Sequence, residues 1–174
     1  MREPSRRERF EHAMLPHLDA AYNLARWLTG SAADAEDAVQ DACVRALTFF
    51  DGFHGADGRA WLLAIVRNTC YDWLRKHRRV TLLASPEELD RKPDPAPGPE
   101  MEQLRRADAQ MVQEGLASLP AEYREALVLR ELEGMQYREI AQVTGVPIGT
   151  VMSRLARGRK RLGESIKEKS VGVQ

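Results

Sequence analysis

Between Ser85 and Pro99 the chain reads SPEELDRKPDPAPGP, with prolines at 86, 93, 95, 97 and 99 and a glycine at 98. Proline lacks the N–H that a helix or central strand needs, and it pushes its preceding neighbour out of helical geometry. The stretch therefore cannot join what lies on either side into one element and reads as an extended, acidic linker. On both sides apolar residues recur at helical spacing, and β-branched alternating runs are absent. The expectation is an all-α chain of two small helical domains on a flexible tether, which suits its 174 residues.

In the first half, helices are expected over about 8–29, 34–50 and 59–78. Thr29-Gly30-Ser31 closes the first, and Asp34 with Asp37 opens the second where negative charge suits the helix dipole. Residues 51–58, DGFHGADG, hold three glycines in eight positions and form a loop. In the second half, helices are expected over 101–119 and 121–132, with Leu119-Pro120 between them and Glu133-Gly134 as the following turn.

The segment from Tyr137 to Arg161, YREIAQVTGVPIGTVMSRLARGRKR, carries a helix-turn-helix pattern. Ala141 is small enough for two helix axes to approach. Gly145 can end the first helix in the left-handed conformation, and Pro147 suits the start of the second. Ile140, Val143, Val146, Val151, Leu155 and Leu162 supply buried faces. Thr150, Ser153, Arg154, Arg157, Lys160 and Arg161 are left on the second helix as hydroxyl and cationic groups, a surface suited to duplex DNA. A merely solvated basic hairpin is the alternative.

A formal net charge of zero argues at first against a nucleic-acid binder. The distribution answers the objection. Residues 67–79 carry Arg67, Arg75, Lys76, Arg78 and Arg79 against Asp72 alone, and 154–169 carry seven cations against Glu164 and Glu168. The balancing acids cluster in 34–41 and 87–102. Two basic patches result, and the local field matters more than the sum. Cys43 and Cys70 show no CxxC or Cys/His spacing and His12, His17, His54 and His77 are scattered, so no metal site is expected and the thiols read as reduced. There is no GxxxxGK[ST] motif, and no cofactor is expected. No apolar run nears the ~20 residues of a bilayer span, and MREPSRRERFEH has no signal-like apolar core, so a cytoplasmic address without membrane insertion is expected.

Two further faces carry chemistry. On helix 34–47 the pattern turns Ala35, Ala38, Val39, Ala42, Cys43 and Leu47 inward and leaves Asp37, Gln40, Asp41 and Val44 outward, either as a solvated face or as a dock for a basic helix. On helix 59–78, Trp61, Leu62, Ile65, Thr69, Trp73 and Cys70 can pack inward, leaving Arg67, Asn68, Tyr71, Asp72, Arg75, Lys76, Arg78 and Arg79 outward. Cations track phosphates while aromatics and amides engage unpaired bases, so this face, with Phe53 and His54 of the loop before it, could hold extruded bases. Aromatics in a core beside solvated cations is the competing reading.

DAEDAVQDACVRAL, WLLAIVRNTCYDWLRKHRR, a proline-rich break and LPAEYREALVLRELEGMQYREIAQVTGVPIGTVMSRLARGRKRL, in that order, resemble a bacterial extracytoplasmic-function (ECF) sigma factor over about 22–79 and 112–162. The resemblance implies sigma region 2 over 8–80, a linker with the start of the next helix over 81–108, and region 4 over 109–168. It implies docking to the β′ clamp of core RNA polymerase through Asp34, Glu36, Asp37, Gln40 and Asp41, with the β flap as a second polymerase contact. It implies recognition and melting of the promoter −10 element by Phe53, His54, Arg67, Asn68, Arg75, Lys76, Arg78 and Arg79. The −35 element would be met by Thr150, Met152, Ser153, Arg154, Ala156, Arg157, Lys160 and Arg161, with Arg154, Lys160 and Arg161 near phosphates. Met152 stands where the family commonly has Lys or Arg, and Ala156 is small, so base reading would rest on Ser153 and Arg157 and on duplex shape. An anti-sigma partner is a further expectation of the resemblance.

Two other classes fit parts of the chain. A stand-alone helix-turn-helix regulator would need neither the glycine-rich loop nor the Arg67–Asn68 face, and a sigma-like decoy would not need the DNA-facing cations.

Overall fold

The structure, a computed structural model, describes residues 1–81 and 100–172, with side chains described over 1–77 and 103–172. The linker expected over 85–99 and the side chains of Arg78 and Arg79 lie outside the described residues. Eight helices form the chain as described: α1 (Arg6–Met14), α2 (Leu18–Thr29), α3 (Ala32–Phe49), α4 (Gly58–Thr81), α5 (Glu100–Ser118), α6 (Ala121–Leu127), α7 (Tyr137–Thr144) and α8 (Ile148–Val171). Among the described residues there is no strand, as the periodicity predicts.

The expected helix over 8–29 is two helices. Ser5 caps α1 in a reciprocal capping box with Glu8, and Pro16 imposes a short 3-10 turn over Leu15–His17 before α2 begins. Gly30, at φ 79°, ends α2, and the Ser31 hydroxyl accepts from the Asp34 amide to start α3 two residues earlier than the acidic signal suggests. The helix expected over 121–132 is α6 followed by a π-turn over Val128–Leu132.

In the first half α2, α3 and α4 pack on one another. Ala35, Ala38, Ala42 and Ala46 recur along the inner edge of α3 and are all buried, so α3 presents a thin face that lets its neighbours approach. Leu24, Leu28, Leu62, Leu63 and Val66 fill the space between. Two readings of these faces need correction. Leu47 is exposed, because Ala46 takes the inward place, and the inner side of α4 is Leu62, Leu63, Val66, Thr69 and Cys70, with Trp61, Ile65 and Trp73 at its margins. In the second half α8 lies on α6, α7 and α5, around buried Leu127, Leu129, Ile140, Val143, Val151 and Leu155.

The halves do not stand apart. α4 packs on α7 and α2 on α6, and the buried side chains of both halves form one continuous cluster. Polar links cross the same junction: Asn23 Nδ2 donates to Glu133 Oε1 at 2.6 Å, and Arg59 Nη2 to Glu139 Oε1 at 3.1 Å.

Candidate nucleic-acid interface

The helix-turn-helix forms as its residues require. Glu139 closes a capping box on Gln136 at the start of α7, and α7 ends at Gly145, whose φ of 71° places it in the left-handed region. Pro147 caps α8 in extended geometry, its carbonyl accepting from the amides of Thr150 and Val151. Val151 and Leu155 turn inward, so the opposite side of α8 is fixed by the same periodicity. Met152, Ser153, Ala156, Arg157, Lys160 and Arg161 are exposed on it. Beyond them α8 runs on to Val171, where the exposed face carries Glu164 and Glu168 as well as Lys167.

Two members of the expected −35 set lie elsewhere. Thr150 is half-buried, and Arg154 is withdrawn to a side-chain exposure of 22%, with Nη1 3.8 Å from Glu125 Oε1. The expectation of an exposed Arg154 is therefore corrected: it points along α8 into the junction with α6. Arg161 lies over the Tyr123 ring at 5.1 Å and remains exposed.

The face of α4 is different. Asn68, Arg75, Lys76 and His77 are exposed, but Arg67 is not free. Its Nε donates to Glu125 Oε2 at 2.9 Å and its Nη2 to Glu125 Oε1 at 3.1 Å, a bidentate pair from α4 to α6. Its guanidinium also lies 4.2 Å from the centre of the Tyr71 ring. Tyr71, expected outward, is half-buried, with its hydroxyl enclosed near the Glu125 carboxylate. Asp72 accepts from Arg45 of α3 and from Arg75, so α3 and α4 share a charge network that also reaches Asp41. In the preceding loop Phe53 stacks into a cluster with Phe50 and Trp61, at 5.9 and 5.0 Å, while His54 is exposed. Phe53 is thus engaged in holding the loop on the core.

On α3, Glu36, Asp37, Gln40 and Asp41 share an exposed face and Asp34 is half-buried at its start. That face continues into Val44 and Leu47, exposed at 64 and 41%, while Phe49, exposed at 65%, ends α3 on the side of its buried alanines. The spacing predicts the outward Asp37, Gln40, Asp41 and Val44; Leu47, expected inward, extends the same face instead.

The charge states follow from these positions. Burial pushes the Glu125 carboxyl above its ordinary value, and the bonds from Arg67 offset only part of that. Burial alone would lower the Arg67 guanidinium, but the Glu125 bonds outweigh it and hold it raised. Burial raises the Tyr71 phenol, helped by the Glu125 charge. Arg45 and Arg75 hold the Asp72 carboxyl below its usual range against a small desolvation. Glu125 is the residue the sequence pattern does not single out, being one of two acids in the short α6, with Glu122 and Arg124 beside it.

An exposed cationic face of α8 on a helix-turn-helix, with a second helix bearing exposed cations and an acidic face on α3, defines an all-helical helix-turn-helix protein among the described residues. Known families sharpen this. Residues 14–80 match the family described as Sigma-70 region 2, and 109–162 match Sigma-70, region 4. The chain is 36% identical to the ECF RNA polymerase sigma factor SigE of Mycolicibacterium smegmatis over 154 residues, 88% of this chain and 60% of that one. It is 35% identical to the ECF RNA polymerase sigma factor EcfG of Rhodopseudomonas palustris over 78% of this chain and 72% of that one. The sigma factor RpoE of Bartonella quintana, solved with the anti-sigma factor NepR, superposes with a TM-score of 0.73 at 31% identity, covering 91% of this chain and 96% of that one. The chain belongs to the ECF family of RNA polymerase sigma factors.

Proposed function

We propose that this chain directs core RNA polymerase to a set of promoters and promotes the opening of DNA there, catalysing no reaction of its own. The observation that carries the reading is the open cationic face of α8 on a correctly turned helix-turn-helix, in a chain of this family. In this reading α8 enters the major groove of the −35 duplex, with Ser153 and Arg157 at base edges, Met152 and Ala156 against apolar base surfaces, and Lys160 and Arg161 at phosphates. Asn68, His54, Arg75 and Lys76 receive the displaced −10 strand, joined by Arg67 once it is released, and Arg78 and Arg79 extend that set. Asp34, Glu36, Asp37, Gln40 and Asp41 form the acidic part of the dock for the β′ clamp. Val44 and Leu47 beside them would add apolar area. Region 4 would meet the β flap.

The energetics are consistent with binding alone. Unstacking a base costs a few kcal/mol, and aromatic or cationic contacts return ~1–3 kcal/mol per base, so binding can drive melting without nucleotide hydrolysis. A cytoplasmic setting follows from such partners, and no helix among the described residues is long and apolar enough to cross a membrane. Because the neighbouring RpoE was solved with an anti-sigma factor, a similar inhibitor is proposed for this chain.

The test is transcription reconstituted from core polymerase, this protein and genomic DNA, with start sites mapped. Initiation at defined positions sharing −35 and −10 sequences is expected. Tight operator binding without initiation would favour a stand-alone regulator instead.

A further inference from the structure

Glu125 is wholly buried, with a side-chain exposure of 0%. Three groups face its carboxylate from other helices: Arg67 and Tyr71 from α4, and Arg154 from α8. On its own helix Arg124 is withdrawn and Glu122 lies close enough to affect Tyr71. Arg67 takes both oxygens. Arg154 Nη1, 3.8 Å from Oε1, is too far for a hydrogen bond, and that nitrogen is buried with no other partner. That nitrogen keeps an ion-pair contact with Glu125 but lacks a hydrogen bond, which is costly for a buried guanidinium nitrogen, and the carboxylate retains acceptor sites that Arg154 could take by a small approach.

The two arginines also face a distance problem. On a promoter, Arg67 would serve the −10 strand and Arg154 would sit on the helix reading the −35 duplex, sites ~85 Å apart for ~25 base pairs at 3.4 Å each. In this structure both lie within 4 Å of one carboxylate. The packed arrangement and promoter binding exclude each other.

We propose that Glu125 is a shared acceptor handed from one arginine to the other: Arg67 holds it while the halves are packed, and Arg154 takes it when α4 separates from α6. The first state keeps Arg67 from DNA and leaves α8 without its anchoring bond. The second frees Arg67 for the unpaired strand and fixes Arg154, with α8, for the duplex. Glu125 is a positioning residue in both. The burial penalty on its carboxylate keeps the first state from being too deep to leave. The distance argument and the duplex readout rest on the proposed function; the convergence of both arginines on one buried carboxylate does not.

Two variants of the full chain separate the states, using as probe a duplex selected by the wild-type chain from randomised DNA. Arg67→Gln should expand the free chain in X-ray scattering and raise duplex affinity severalfold, because Glu125 is released to Arg154. Glu125→Gln should also expand it but lower duplex affinity about tenfold, because Arg154 loses a charged partner. Opposite signs are the signature of a handover. Affinity changes of the same sign would overturn it, as would an Arg67→Gln chain as compact and as weakly bound as wild type. Should Glu125→Gln lose its helical circular dichroism, Arg67→Gln alone decides. None of these readings needs polymerase, so a failure to initiate transcription would count against the proposed function only.

Discussion

The two helices proposed to meet DNA are built from similar residues and hold them differently. α8 shows Ser153, Arg157 and Lys160 to solvent, ready for a duplex, whereas α4 has its most buried cation, Arg67, bound to the other half of the molecule. The difference is one of surroundings. The inner side of α8 is satisfied within its own half by α5, α6 and α7, while α4 packs on α2 and α3 on one side and on α7 on another. A helix with one covered side can wait exposed. On the proposed reading, a cation covered as Arg67 is must be uncovered before it can work, although Arg75 and Lys76 of the same helix are already exposed.

The comparison breaks most visibly if the halves are energetically independent. Leu62 in the first half and Leu155 in the second are both buried, within one continuous cluster. Truncation of either to alanine should cost ~2–5 kcal/mol and lower the midpoint of the same single thermal transition. Two transitions, each moved by only one variant, would show that the packing between halves adds little to stability. The next effect is on function. Arg157→Ala should weaken duplex binding by ~1–3 kcal/mol in the free chain, since its target face is already open. Asn68→Ala should leave that duplex binding and core-polymerase binding unchanged but slow open-complex formation, which permanganate footprinting would detect. Equal loss of duplex binding in both would erase the distinction between the helices.

What the sequence conveyed, and what it withheld, divides along physical lines. The helix-turn-helix was legible because Ala141, Gly145, Pro147 and the apolar positions of α7 and α8 are local, fixed-spacing demands of backbone geometry. The split near the prolines was legible for the same reason. Pro16 breaks the first expected helix by that rule too, but was outweighed by the periodicity around it. The face of α4 was harder, because Leu62, Leu63 and Val66 occupy adjacent stripes and the wheel alone cannot choose between aromatic and aliphatic sides. The engagement of Arg67 and Arg154 was not legible at all: Arg67 meets Glu125 from 58 residues away, and only packing of the two halves makes them neighbours. Local pattern announces which cations could meet DNA, whereas tertiary contact decides which are free to.

The smallest expected effect concerns the second polar link between the halves. Arg59, at the start of α4, donates to the Glu133 carbonyl and to Glu139, the residue that also caps α7. Its side chain and that of Glu139 are 29 and 25% exposed, so solvent screens the pair far more than it screens Arg67 on a wholly buried partner. Arg59→Ala should therefore cost only ~0–1 kcal/mol of stability. It should also expand the free chain less than Arg67→Gln does and leave duplex affinity where it was, because the capping box of α7 survives on Gln136 and Glu139 alone. An Arg59→Ala chain as open as Arg67→Gln would place the lock at the ends of α4 and α7 and reduce the buried carboxylate to a bystander.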